Sequence, residues 1–289
     1  MKIISNIRYI CIMEQKEWFE SWFDTTYYHS LYKSRDDAEA KQFIRNLVSF
    51  LDLQKGLKVL DLACGKGRHS VTLNELGMDV LGVDLSKNSI ACAKNAENHS
   101  LKFEVHDMRE VITGAQFNVI FNLFTSFGYF DDVIDNNTVI ASIAEMLLPQ
   151  GILVLDFMNS SKSISKLIAS EIKTEDEIDY HITRKYDGKH IFKYIEFADQ
   201  GEKFQYSERV QALKLNDFES LLRNNKFQII HTFGDFNLNP FDEKSSDRLI
   251  LIATKINGTI ICHFKFNYRS CIGWVNCHIS SRFQQTKIY

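Results

Sequence analysis

The stretch from Val59 to Ser70, with the apolar run that follows it, limits the fold of this chain more than any other feature. Val59-Leu60-Asp61-Leu62-Ala63-Cys64-Gly65-Lys66-Gly67 reads as a short apolar strand that enters a loop with two glycines two positions apart. A second apolar run ends at Asp84, 23 residues after Asp61. Glycine lets the backbone turn sharply and lets a ligand lie against the main chain. Because an acid at the tip of the next strand can accept both hydroxyls of a ribose, the pattern predicts a nucleotide-binding βαβ unit.

The same spacing fits a dinucleotide-binding βαβ unit, which leaves an alternative open. Such sites use a third glycine for close packing of the helix on the strand, and Ser70 stands in that place here. This departure disfavours a nicotinamide-dependent oxidoreductase. A glycine-rich turn from strand to helix without any ligand is the other alternative.

These residues resemble the first two motifs of the class I S-adenosylmethionine-dependent methyltransferases of the small-molecule type. Their first loop reads acid-x-Gly-x-Gly-x-Gly, and Ala63 takes the first glycine position. Alanine is compatible with that loop if its φ is negative. The resemblance implies that S-adenosylmethionine is the cofactor and that it is bound by Asp61, Ala63, Cys64, Gly65, Gly67, Asp84 and Leu85.

Further matches follow in the order that the resemblance requires. Leu101 to Val105 alternates like a third strand and is followed by His106-Asp107-Met108. In the family the acid at this position bonds the adenine amine, and the next side chain packs on the ring, which assigns these roles to Asp107 and Met108. A fourth strand, Phe117 to Asn122, leads into an aromatic loop that faces the transferred methyl group in the family. The resemblance therefore adds Asn122 to the cofactor site and Phe124, Thr125 and Phe127 to the substrate pocket.

The rest of the chain predicts the remaining elements of an α/β fold. Apolar residues at helical spacing predict a helix over Val133–Leu148, closed by Pro149-Gln150-Gly151, and a fifth strand over Gly151–Phe157. Strands that alternate with helices form parallel βαβ units with helices on both faces. The resemblance implies a doubly wound, seven-stranded sheet, mostly parallel with an antiparallel last strand.

After Phe157 the pattern changes to hairpins. Alternating segments around Asp187-Gly188 and Gly201 predict an antiparallel β insertion after strand 5, at about residues 178–214. A helix over Asp217–Arg223 with Asn216 as its cap should follow. Two last strands, Phe227–Phe233 and Arg248–Thr254, complete the predicted sheet.

Both ends of the chain differ in charge from its middle. Residues 1–12 contain Lys2 and Arg8 without an acid, and residues 257–289 contain four basic residues without an acid. The chain has 34 Lys and Arg against 37 Asp and Glu, so without these six cations residues 13–256 hold 28 against 37, a formal charge of −9. An acidic middle disfavours a nucleic-acid partner, which would select a basic surface.

These differences predict the domain organisation. Met13-Glu14-Gln15-Lys16 is a more typical start, so we expect 1–12 to be a non-native or disordered leader, 13–256 a methyltransferase domain and 257–289 a C-terminal appendage. No apolar stretch approaches the roughly 20 residues that span a membrane. Residues 1–12 also lack the continuous apolar segment and the small-residue cleavage site of a secretory signal peptide. We therefore expect a cytoplasmic protein without a membrane partner.

The appendage raises the question of a metal. It contains Cys262, Cys271 and Cys277 beside His263 and His278. Structural zinc sites use closely spaced Cys-x₂₋₄-Cys pairs, and this segment has none. We predict no metal site and free thiols at the other three cysteines.

An aromatic segment, Trp18 to Tyr32, precedes the first strand. Related methyltransferases place an N-terminal helix of this kind across the cofactor, and aromatic faces stabilise a cation such as a sulfonium. The resemblance therefore implies that Tyr28 and Tyr32 line the substrate pocket. Packing of these rings onto the sheet is the alternative.

The chemistry predicted from these residues is methyl transfer to a small molecule by in-line displacement. The Asn-Pro-Pro-Tyr or Asp-Pro-Pro-Tyr signature of enzymes that methylate amino groups of DNA and protein is absent, and positioning contributes more than covalent help. His29, His106, His181 and His231 could reach the site, but such residues are more often packing or surface residues, so no base is assigned. A non-catalytic cofactor-binding module is the third hypothesis, and the sequence carries no signal for the oligomeric state.

Overall fold

The computed structural model describes residues 18–33, 37–130 and 133–256. The predicted leader, the suggested start at Met13 and the predicted appendage with its cysteines lie outside the described residues.

Eleven strands lie within the described residues and form two sheets. They are β1 (Lys58–Leu62), β2 (Asp79–Asp84), β3 (Leu101–Val105), β4 (Phe117–Asn122), β5 (Leu147–Met158), β6 (Ser170–Glu175), β7 (Ile178–Tyr186), β8 (His190–Asp199), β9 (Glu202–Gln211), β10 (Phe227–Phe233) and β11 (Arg248–Lys255). The larger sheet has the order β10-β11-β5-β4-β1-β2-β3. Strand β11 runs antiparallel to both β5 and β10, and the pairs from β5 to β3 are parallel. The predicted seven-stranded sheet with an antiparallel last strand is confirmed.

Helices cover both faces of this sheet, as a doubly wound fold requires. The α-helices within the described residues are α1 (Trp18–Trp22), α2 (Thr26–Leu31), α3 (Asp37–Phe50), α4 (Arg68–Glu75), α5 (Lys87–Ala93), α6 (Val133–Met146), α7 (Ser160–Ser165) and α8 (Leu215–Asn224). Helices α3, α4 and α5 pack on one face, and α6 and α8 pack on the other. The sheet residues alternate between the two cores: Val59 faces the first group of helices, and Leu60 faces the second. Because the sheet is buried on both sides, its strands read as continuous apolar runs.

The antiparallel insertion is larger than the sequence predicted. Its four strands pair in the order β6-β7-β8-β9, so the sheet starts at Ser170 rather than near residue 178. Strand β6 has no buried residue and carries charged side chains, so it lacks a hydrophobic pattern. The turn to β7 uses Asp176 and Glu177, both at positive φ, where a glycine or asparagine is the usual signal. For these two reasons, neither the hydrophobic pattern nor the turn residues indicated β6.

Two other boundaries differ from the prediction. Strand β5 begins at Leu147, directly after α6, because Leu147 pairs with Phe117 before the register shifts. Helix α8 begins at Leu215, and Asn216 is not its cap. Instead, the Asp217 carboxylate accepts the backbone N–H of Lys214 at 2.8 Å, which satisfies a donor at the helix start.

The aromatic segment forms two short helices instead of one. Trp22 and Leu31 are almost fully buried in a third core that includes Tyr180 and Ile195 of the insertion sheet. The packing alternative therefore holds for part of this segment. No helix in the described part of the chain is long and apolar enough to cross a membrane.

Candidate active site

A cavity of about 510 Å³ lies at the carboxyl ends of β1 to β4, under α1 and α2. The loops that follow these four strands contribute Ala63, Asp84, Asp107 and Phe124. This is the edge at which parallel α/β sheets bind ligands. A cavity of this volume is in the range of small-molecule sites.

The cavity gathers most of the residues that the sequence suggested for the site. Ten of them line it: Tyr28, Tyr32, Ala63, Cys64, Gly65, Asp84, Leu85, Asp107, Met108 and Phe124. Five do not: Asp61, Gly67, Asn122, Thr125 and Phe127. Four of these five are buried, and Thr125 is half-buried.

The first loop has a backbone that the sequence did not predict at Ala63. Its φ is 64°, in the left-handed region, so the condition of a negative φ is not met. A residue with a Cβ is strained there by about 1 to 2 kcal/mol, which explains why the family pattern has a glycine at this position. Gly65 also has a positive φ, 57°, and no atom lies within 4 Å of the position that a Cβ would take. The main chain at Gly65 is therefore open to a ligand.

Asp84 joins the first loop to the end of β2. One carboxylate oxygen accepts the N–H of Gly65, and the other accepts the N–H of Ser86, both at 2.8 Å. Burial raises the pKa of Asp84, and these two hydrogen bonds offset part of the rise. Each oxygen keeps a second lone pair that can accept a ligand hydroxyl.

Asp107 is held by Arg109, two residues further along the chain. The guanidinium lies 2.6 and 3.1 Å from the carboxylate oxygens, and the Arg109 N–H donates to the same carboxylate. Burial raises the pKa of Asp107, but the hydrogen bonds from Arg109 outweigh it, so the pKa lies below its ordinary value. Asp107 therefore remains ionised and can accept a hydrogen bond from a ligand amine.

Asp61 stabilises the first loop from behind. It is almost fully buried, and its carboxylate accepts the hydroxyl of Ser70 at 2.5 Å. Burial raises the pKa of Asp61 to about 6, although the hydrogen bond from Ser70 lowers it in part. Ser70, the residue that departs from the dinucleotide pattern, thus ties β1 to α4.

Gly67 and Asn122 also act from behind the cavity wall. The Asn122 amide donates to the carbonyl of Leu62 at 3.0 Å and so joins the ends of β4 and β1. Gly67 has φ 83°, and a Cβ there would lie 2.5 Å from the ring of Phe103. Both residues shape the loop rather than line the cavity.

Two of the three residues predicted after β4 to line the pocket point elsewhere. Phe127 is fully buried and packs against Phe218, with ring centroids 5.7 Å apart. The hydroxyl of Thr125 accepts a hydrogen bond from Arg248 at 3.0 Å. Only Phe124 of this group lines the cavity, because the left-handed backbone at 124 and 125 turns the loop away from a regular alternation.

Tyr32 reaches the cavity from the end of α2 and is fixed by the insertion sheet. Its hydroxyl lies 2.7 Å from a carboxylate oxygen of Glu208 on β9, which also accepts the indole N–H of Trp22 at 2.8 Å. Lys193 on β8 donates to the same tyrosine hydroxyl. By contrast, Tyr27 donates to Asp199 and packs on Phe197, away from the cavity. The insertion therefore holds the aromatic segment over the site.

Histidines line the cavity in a pattern that the sequence only partly suggested. His29 and His106 do so, and His181 and His231 do not. His69, which is not among the four histidines that the sequence suggested, lines the cavity beside Phe124, with ring centroids 4.9 Å apart. Burial, with a smaller contribution from Arg68, lowers the pKa of His69 to about 3. Burial, with Lys66, lowers the pKa of His29 to about 4. Both imidazoles are neutral at physiological pH.

The buried neutral state of His69 predicts acid sensitivity. An unfolded histidine has a pKa of about 6.5, so below this pH the unfolded chain binds a proton that folded His69 does not. Its contribution to the free energy of unfolding should fall by about 2 kcal/mol at about pH 5. Asp61 acts in the opposite direction between about pH 6 and 4, because its pKa is raised in the folded state.

A comparison of variants isolates the histidine. We expect His69→Phe to lose less stability than the wild type when urea unfolding is measured from about pH 7 down to about pH 5. The exposed His99 provides the control, since His99→Gln should show the same change in the free energy of unfolding with pH as the wild type. The same change in the free energy of unfolding with pH in all three proteins would contradict a buried neutral His69.

The site shows no arrangement for metal or thiol chemistry within the described residues. No three His, Cys, Asp or Glu side chains in that part of the chain come together as metal ligands. Burial raises the pKa of the Cys64 thiol well above its ordinary value, so it remains protonated.

Comparisons with known proteins agree with this geometry. The family described as "Methyltransferase domain" matches residues 53–199. The chain is 30% identical over 254 residues to a glycine/sarcosine N-methyltransferase of Aphanothece halophytica, a match that covers 82% of this chain and 87% of that protein. It is also 28% identical over 252 residues to a glycine/sarcosine N-methyltransferase of Parasynechococcus marenigrum (strain WH8102), covering 83% and 85%.

A solved structure shares the fold. An S-adenosylmethionine-dependent methyltransferase from Clostridium acetobutylicum ATCC 824 aligns with a TM-score of 0.68 at 19% identity, over 79% of this chain and 96% of that one. The match to a methyltransferase family contradicts the alternative of a nicotinamide-dependent oxidoreductase. The chain belongs to the class I S-adenosylmethionine-dependent methyltransferases, is an enzyme of that family and uses S-adenosylmethionine as its cofactor.

Proposed function

We propose that the enzyme transfers the methyl group of S-adenosylmethionine to a small-molecule acceptor and releases S-adenosylhomocysteine. The observation that carries this proposal is the cavity of about 510 Å³, which joins the first loop to the aromatic residues of α1 and α2. With a nucleoside-sized cofactor in place, the remaining space suits a small acceptor. The relatives that act on glycine and sarcosine support the same acceptor class.

The residues of the cavity fit the cofactor. The open main chain at Gly65 provides space for a ligand, and Asp84 keeps lone pairs for the two ribose hydroxyls. Asp107 can accept the adenine amine, with Leu85 and Met108 available to pack on the ring. When bound, S-adenosylmethionine supplies a methyl group that its sulfonium activates.

The chain contributes binding and orientation to the reaction. The acceptor's lone pair forms the new bond to the methyl carbon as the carbon–sulfur bond breaks, and the electron pair returns to sulfur. Phe124, Ser126 and Tyr32 also line the cavity, and we assign to them the role of holding the acceptor in line with the methyl group. A proton on the acceptor passes to water or to a neutral imidazole such as His29.

Label transfer tests this proposal and separates it from its alternatives. The enzyme is incubated with methyl-labelled S-adenosylmethionine and with the low-molecular-mass or the macromolecular fraction of a cell extract, with glycine and sarcosine as defined acceptors. We expect label in small products and formation of S-adenosylhomocysteine. Label only in the macromolecular fraction would contradict a small-molecule acceptor. Cofactor binding without any transfer would favour the non-catalytic module.

A further inference from the structure

The loop after β4 contains two consecutive residues in an unfavourable backbone conformation. Phe124 has φ 59° and Thr125 has φ 62°, and neither is a glycine. A left-handed conformation costs about 1 to 2 kcal/mol for each such residue. Strained residues of this kind persist only when their surroundings hold them, and they are concentrated at functional sites.

A buried aspartate accepts the backbone N–H groups of both strained residues. The side chain of Asp156 on β5 accepts the N–H of Phe124 at 2.8 Å, and its backbone carbonyl accepts the N–H of Thr125 at 3.0 Å. Asp156 is completely buried. A buried carboxylate needs a partner of opposite charge, because the cost of removing it from water is several kcal/mol.

Arg248, the first residue of β11, supplies that partner and also reaches the loop. Its Nε donates to the second carboxylate oxygen of Asp156 at 2.8 Å, and its terminal nitrogen donates to the Thr125 hydroxyl at 3.0 Å. The guanidinium fork thus joins the last strand, β5 and the strained loop. Asp156, Arg248 and Thr125 do not line the cavity.

Of the two strained residues, only Phe124 lines the cavity, in a segment that also contributes Leu123, Ser126, Tyr129 and Phe130 to the lining. The ring of Phe124 stacks on Phe236 at 5.0 Å, and the guanidinium of Arg68 lies 4.4 Å from its centroid. A different φ at Phe124 would move the ring out of this stack. The hydrogen bonds from Asp156 and Arg248 therefore support the backbone conformation that places this ring in the cavity wall.

We propose that Arg248 and Asp156 are positioning residues for methyl transfer. By holding Phe124 and Thr125 in the left-handed conformation, they keep the Phe124 ring and Ser126 against the acceptor. They act on the orientation of the acceptor and not on cofactor binding, and this inference rests on the proposed function.

The main test uses Arg248→Met, with Lys255→Met as the control at the far end of the same strand, where Lys255 donates to the carbonyl of Leu147. We expect Arg248→Met to slow methyl transfer to the low-molecular-mass extract about 10- to 100-fold, as small misplacements do. Its affinity for S-adenosylhomocysteine should change less than about twofold, since no cofactor contact is lost. Lys255→Met should retain both values. Arg248→Lys should recover part of the rate, because lysine keeps the charge without the fork.

Hydrogen exchange provides a readout that does not depend on turnover. In Arg248→Met the amides of Phe124 and Thr125 should exchange faster, while those of β1 and β4 stay protected. Adding Thr125→Gly to this variant should restore part of the rate, because glycine adopts a positive φ without strain.

Three results would overturn the inference. They are an unchanged rate and unchanged exchange in Arg248→Met, an equal loss of transfer and of S-adenosylhomocysteine binding, or loss of protection throughout the sheet. A wild-type enzyme that transfers no methyl group would instead contradict the proposed function, and the exchange measurement would still decide whether Arg248 holds the loop.

Discussion

Replacing Asp84 by alanine is expected to weaken S-adenosylhomocysteine binding about 10- to 150-fold, which corresponds to about 1.5 to 3 kcal/mol. The loss has two sources. The ribose hydroxyls lose a charged acceptor, and the N–H groups of Gly65 and Ser86 lose the carboxylate that fixes them. Isothermal titration calorimetry on the wild type and the variant measures the change.

Asp79 provides the matched control for this substitution. It is the first residue of β2, at the opposite end from Asp84, and it is exposed. Asp79→Ala should therefore bind S-adenosylhomocysteine as the wild type does. Unchanged affinity in a folded Asp84→Ala variant would mean that the ribose does not bind at the end of β2, and that the first two motifs have been misaligned.

Seven of the ten residues that the sequence assigned to the cofactor line the cavity, because local pattern places them there. Strands β1, β2 and β4 are buried on both faces, so they read as apolar runs, and polar residues appear where each strand ends. Parallel strands bring these ends to one edge of the sheet. Ala63, Asp84 and Asp107 could therefore be placed together without knowledge of any long-range contact.

The acceptor side was harder to predict because long-range contacts determine it. Phe124 and Phe127 are both aromatic and three positions apart, yet one lines the cavity and the other packs on α8. The choice depends on Asp156 and Arg248, which lie 32 and 124 residues after Phe124 in the sequence. Nothing near Phe124 in the sequence carries this information.

The same reasoning applies to the insertion. Glu208 fixes Tyr32 from a distance of 176 residues, and strand β6 has neither buried side chains nor a glycine in its turn. A hydrophobic pattern cannot reveal an edge strand that buries nothing. The number of strands in the insertion, and the contact between the insertion and α2, became evident only from the structure.

The departure from the dinucleotide pattern at Ser70 and the glycines near it are explained by the local packing. Ser70 takes the place of the third glycine of that pattern, and its hydroxyl donates to the buried Asp61, close to Gly82 on β2. The ring of Phe103 fills the space beside Gly67 and Gly82, and a Cβ at either position would lie within 2.6 Å of that ring. The glycine at 67 is therefore a packing requirement, whereas the one at 65 faces the cavity.

This difference predicts losses of stability of different size from the same substitution at two positions of one loop. Gly67→Ala should lower the free energy of unfolding by about 2 to 4 kcal/mol, since it combines a left-handed alanine with a collision in the core. Gly65→Ala has no such collision and should cost only about 1 to 2 kcal/mol. Urea unfolding of both variants measures the difference.

Ligand binding and a compensating substitution complete the test of the loop. Gly65→Ala should lose affinity for S-adenosylhomocysteine although it is the more stable variant, because its new methyl group occupies open space in the cavity wall. Phe103→Leu should recover part of the stability of Gly67→Ala, since a smaller side chain leaves room for the Cβ. Two results would show that the ring of Phe103 is not what requires glycine at 67. One is a Gly67→Ala variant as stable as Gly65→Ala. The other is a Phe103→Leu substitution that lowers the free energy of unfolding of Gly67→Ala as much as it lowers that of the wild type.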